Sequence, residues 1–78
     1  MRLEKIRKFM DDNHMPFQYF EDNGLGSINF LHRGLSYRIW EFDDPEPGAE
    51  SNVRTCGRSE DFTGSYEEDI IEILKTFR

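Results

Sequence analysis

Disulfide frameworks are excluded at once, because the chain holds one cysteine, Cys56, among 78 residues, and a single thiol has no internal partner. Two widely spaced histidines with that one cysteine do not make a zinc site. No apolar run approaches the roughly 18 residues that span a bilayer. Neither G-x-G-x-x-G nor G-x-x-x-x-G-K-[ST] occurs, so these phosphate-cradling loops are missing. Positive charge is also scarce: ten Lys and Arg face sixteen Asp and Glu, for a net charge of −6. An acidic body repels phosphate backbones, which argues against nucleic acid as a partner. The first 20 residues interleave apolar and charged side chains and do not read as a signal peptide. These absences predict a cytoplasmic, reduced protein with no membrane contact, no metal and no cofactor.

Aromatic residues are plentiful: seven Phe, three Tyr and one Trp. A few such side chains can fill a small core, so a folded domain is expected despite a mean hydropathy of −0.79. The length allows one domain, residues 1–78, with a small stability margin. Charge is uneven along the chain. Arg2, Lys5, Arg7 and Lys8 against Glu4 give the first ten residues an excess of +3, leaving −9 on the rest. That basic segment reads as a solvated helix face, or as a dock for something acidic.

In "RLEKIRKFMDDNH", Leu3, Ile6, Phe9 and Met10 form one stripe of an amphipathic helix, with His14 at its margin. Asn13 is placed to cap it in a left-handed conformation, and Pro16 prevents continuation. "PFQYF" reads as a strand with Phe17 and Tyr19 on one side. Asn23-Gly24 supplies a tight turn, with Gly26 as slack. "SINFLH" places Ile28 and Phe30 inward, and Arg33-Gly34 reverses the chain. In "LSYRIWEF", Leu35, Tyr37 and Ile39 share one face and Ser36, Arg38, Trp40 and Phe42 the other.

Residues 43–50 form an acidic, proline-bearing loop, in which Pro45 and Pro47 break the calcium-loop pattern. "SNVRTC" reads as a short fourth strand at the sheet edge, and "GRSEDFTG" as irregular. "SYEEDIIEILKTFR" is a helix with Ile70, Ile71, Leu74 and Phe77 buried and Lys75 and Arg78 in its last turn. Ser65 and Glu68 have the spacing of a capping box. The predicted fold is α+β: helix, four-stranded antiparallel meander, helix (αββββα), with both helices packed on one face of the sheet.

Two functional readings follow. In the favoured one the protein is not an enzyme. It binds a protein partner, or a second copy as a homodimer, through an aromatic and basic patch of Arg38, Trp40, Phe42 and Arg54 on the uncovered sheet face. In the alternative, Cys56 flanked by Arg54 and Arg58 is an activated thiol or anion site in a small enzyme or ligand-binding protein. The phosphatase spacing fails, because position 62 is Phe. A Cys–His pair with His14 or His32 would have to form in space. Glu41, Asp61 and His32 are the available acid–base groups, and nothing in their spacing brings two of them together.

Overall fold

A computed structural model describes residues 2–77. Helix α1 (Glu4–Asp12) is followed by strands β1 (Gln18–Asp22), β2 (Leu25–His32), β3 (Leu35–Phe42), β4 (Gly48–Thr55) and β5 (Arg58–Thr63). Helix α2 (Tyr66–Leu74) continues into a 3₁₀ turn, Lys75–Phe77. The strands pair antiparallel in the order β1-β2-β3-β4-β5. The sheet therefore has five strands, not four, and β4 lies inside it rather than at the edge.

The first two reversals are local in origin. Asn23 and Gly24 take φ of 53° and 77°, and Arg33 and Gly34 take 53° and 80°. Two consecutive left-handed residues make the turn whose twist matches a hairpin. At the end of α1 the left-handed residue is His14, at φ 56°, while Asn13 sits at −104°. Asn13 caps the helix with its side chain instead, since its Nδ2 donates to the Phe9 carbonyl. Arg78 lies outside the described residues.

Alternation divides the sheet. Ile28, Phe30, Tyr37, Ile39, Ala49, Val53 and Phe62 are buried on one face, in one cluster with Leu3, Ile6 and Met10 of the N-terminal segment and Ile70 and Leu74 of α2. Phe77 closes one end of that core, its ring 4.9 Å from the Tyr37 ring. Strand β4 begins at Gly48 because its residues there are small. A Cβ on Gly48 would collide with the Phe62 carbonyl oxygen and come within 2.8 Å of the Phe42 ring. Strand β5 is hard to see in the sequence because an edge strand needs few apolar residues, and only Phe62 of its six is buried. Gly26 likewise lies within β2, where an added Cβ would sit 2.9 Å from Arg2 Cβ. It serves close packing of the N-terminal segment, not turn slack.

Candidate functional site

The opposite face of the sheet carries a row of cross-strand neighbours: Phe20, Ser27, Trp40, Glu50 and Asp61. Phe20 is 52% and Trp40 37% exposed, and Leu31, farther along β2, is 70% exposed. The Arg38 guanidinium carbon lies 3.6 Å from the Trp40 ring centroid. Cation and ring thus form one flat stacked unit, a contact worth roughly 0.5–1 kcal/mol at an exposed site. Phe42 is half-buried and packs close to Gly48.

Beside this row is a concavity of about 590 Å³, lined by residues that include Gln18, Asn29, Leu31 and Ser36. Asn29 Oδ1 is buried there with no hydrogen-bond partner among the described residues. An unmet buried acceptor costs roughly 1–3 kcal/mol, so this oxygen is suited to an incoming donor.

Arg54 does not join Arg38, Trp40 and Phe42. Three residues of β4, 52–54, stand against residue 59 of β5, an irregularity that breaks the alternation. Arg54 Nε is bonded to Glu60 Oε2 at 2.9 Å, and its guanidinium lies 5.9 Å from the ring of the core residue Phe62.

The same irregularity separates the thiol group of residues. Cys56 Sγ lies 3.8 Å from the Ser36 carbonyl oxygen, on the β3 side, whereas Arg54 is held on the β5 side by Glu60. Arg58 is exposed in the following strand. The His32 ring packs at 4.9 Å on Phe77. Glu41 faces the core, and Asp61 the open face, so the acid–base groups are dispersed. Among the described residues no cluster of three His, Cys, Asp or Glu side chains is placed to hold a metal. No described helix is long and apolar enough to cross a membrane.

The basic N-terminal segment is largely matched from within. Lys5 pairs with Glu68, Lys8 with Asp12, and Arg7 lies 4.5 Å over the Tyr19 ring. Arg2 reaches the most consequential polar cluster of the molecule. The Glu41 side chain is 2% exposed. Its Oε1 accepts from Arg2 Nε at 2.9 Å and from the Gly26 N–H at 2.9 Å. Its Oε2 accepts from the Tyr66 hydroxyl at 2.7 Å and from Arg2 Nη2 at 3.4 Å. Burial pushes this carboxyl up, but the bonds from Arg2, Gly26 and Tyr66 outweigh it and hold it below the usual carboxylate range. Tyr66 is pushed up to about 12, by burial first and then by its bond to Glu41. With both oxygens fully used, Glu41 serves as a clasp joining the N-terminal segment, the sheet and α2.

A second acid works across elements. Glu67 Oε1 accepts from the backbone N–H of Lys5 at 3.0 Å and of Ile6 at 3.2 Å. Helix α1 has no side-chain cap of its own at Leu3, so the first turn of α2 supplies it. The Ser65–Glu68 capping box does not form: Ser65 makes no side-chain cap bond, and Glu68 is taken by Lys5. Sequence reasoning missed both Glu41 and Glu67 as organisers, since their partners lie up to 62 residues away.

No protein family, curated protein or solved structure matches this chain.

Proposed function

We propose that this protein is a non-enzymatic protein-binding domain that engages its target through the open face of the sheet. The supporting observation is the Arg38–Trp40 stack, 3.6 Å from guanidinium to ring, standing exposed beside Phe20. Trp and Arg are enriched at binding hot spots, and a side chain already held in one arrangement loses less entropy when a partner binds. Here the stack favours one arrangement of both side chains before any partner arrives. Three aromatic or aliphatic groups on one face, Phe20, Leu31 and Trp40, supply apolar area that no helix covers. The rival thiol reading lacks comparable support, because Glu60 draws Arg54 to the other side of β4 from the Cys56 thiol.

Site-specific photo-cross-linking in cells tests the proposal. A benzophenone side chain at position 20 or 31 is expected to give a protein adduct, whose mass identifies the partner. The same group at position 72, on the exposed side of α2, is expected to give none. Adducts absent at 20 and 31, or equally abundant at 72, would refute the binding face.

A further inference from the structure

The open face carries more acid than base. Asp22 of β1 lies on it beside Phe20, and Glu50 and Asp61 stand directly opposite each other on β4 and β5. None of these three carboxylates has an ion-pair partner among the described residues. Arg38 is the one cation that the register of the described strands places on this face, and it is stacked on Trp40. Like charges directly opposite each other across a strand pair are destabilising. The fold therefore holds Glu50 against Asp61 at a cost that a cation between them would remove. The exposed loop acids Asp43, Asp44 and Glu46 follow at the same end of the sheet, past the Phe42–Gly48 pair, and they too have no ion-pair partner among the described residues.

We infer that the open face takes a basic partner segment, an extended stretch of another protein with Lys or Arg on either side of an apolar residue. This rests on the reading of the open face as the binding surface. Charge complementarity selects the occupant. Trp40 on β3 lies between two acidic sites, Asp22 on β1 and the Glu50–Asp61 pair on β4 and β5, and Phe20 lies beside the first. From β1 to midway between β4 and β5 is three and a half strand steps of about 4.8 Å, or about 17 Å, which an extended chain at about 3.3 Å per residue spans in about five residues. A segment crossing the strands then sets one basic residue near Asp22, an apolar residue on Phe20 and Trp40, and a second basic residue between Glu50 and Asp61. Arg38 lies on the other side of the Trp40 row from Asp22, so its repulsion directs incoming cations towards the acids. The net charge of −6 adds a longer-range attraction for a basic segment and opposes a second, equally acidic copy of the chain.

Trp40 is the single tryptophan of the chain and stands on this face, so its fluorescence reports occupation directly. The probe is the synthetic peptide Lys-Lys-Val-Leu-Val-Lys-Lys with both ends blocked, compared with its counterpart carrying Glu in place of every Lys. The basic peptide is expected to shift the Trp40 emission saturably, and to bind more weakly as salt screens the contact. The acidic peptide is expected to leave the emission unchanged. Glu50→Gln combined with Asp61→Asn should weaken binding by the basic peptide at least about threefold, through the loss of two exposed ion pairs. Glu4→Gln combined with Asp11→Asn removes the same charge from the exposed side of α1 and should leave binding nearly unchanged. Circular dichroism checks the fold of both double variants, and the open-face one should melt no lower than wild type, since it removes two opposed like charges.

No saturable shift with the basic peptide, an equal shift with the acidic one, or equal weakening by the two double variants overturns the inference. The cellular adduct at position 20 separates it from the reading beneath it. A contact segment bearing Lys or Arg on both sides of an apolar residue supports the inference. A segment without them, or one from a second copy of this chain, overturns the basic partner and upholds the binding face. No adduct at all removes the face itself.

Discussion

Replacing Glu41 with glutamine alters the buried clasp by a single functional group, and the expected loss is about 2–4 kcal/mol. The glutamine oxygen can keep Arg2 Nε and the Gly26 N–H, both at 2.9 Å. Its amide nitrogen then faces Arg2 Nη2, a donor against a donor, and the Tyr66 hydroxyl, which must turn to accept. The loss stays below that of a fully buried ion pair because the Arg2 side chain is 45% exposed and can return to water. For a domain of this size the midpoint of thermal unfolding should fall by roughly 10–20 °C, read by circular dichroism. Acid adds a second signature. The folded-state carboxyl titrates below the unfolded one, so its contribution is full above the unfolded value of about 4.3. It is lost as the pH falls through the folded value. Glu41→Gln should therefore flatten the acid limb of stability against pH. A variant within about 0.5 kcal/mol of wild type, the range of ordinary surface changes, or one with the same acid limb, would refute the clasp. Glu46→Gln in the exposed loop serves as the control.

Three other outcomes follow from the same geometry. Glu67→Ala should cost about 1 kcal/mol by uncapping α1, whereas Ser65→Ala should cost under about 0.5 kcal/mol, the reverse of the order implied by the capping-box spacing; paired thermal melts decide between them. Gly48→Ala should lower the urea midpoint sharply through its clash with Phe62, while Gly57→Ala, which meets nothing within 4 Å, should leave it nearly unchanged. Tyr66, whose folded value is raised to about 12, stabilises fully below the unfolded value of about 10 and loses that contribution as the pH rises through the folded one. Tyr66→Phe should accordingly flatten the alkaline limb between them, followed by tyrosinate absorbance and ellipticity together.

The two helices were legible because a 3.6-residue stripe is a property of neighbouring residues, and Ile6, Met10, Ile70 and Leu74 are all fully buried. The division of β3 was equally legible: alternation puts Tyr37 and Ile39 inward and Arg38 and Trp40 outward. Strand β5 was not, because a charged edge strand earns its place from a partner already present. Arg54 was misplaced for a related reason. A strand irregularity between 51 and 55 is set by pairing with β5, and nothing within "SNVRT" announces it.

What the sequence determined by itself were the features with short reach: the helix stripes, the chain reversals at Asn23-Gly24 and Arg33-Gly34, and which side chains of each early strand share a face. Each depends on torsional preference or period within a few residues. Tertiary structure alone decided the use of the acids. Glu41, one carboxylate among sixteen acids, became the buried clasp, and Glu67 became the cap of a distant helix. A carboxylate's role depends on which donors surround it and how much water remains, and those donors come from residues 2, 5, 6, 26 and 66. The stretch around Cys56 was settled the same way, when pairing with β5 carried Arg54 to Glu60 and left the thiol beside Ser36.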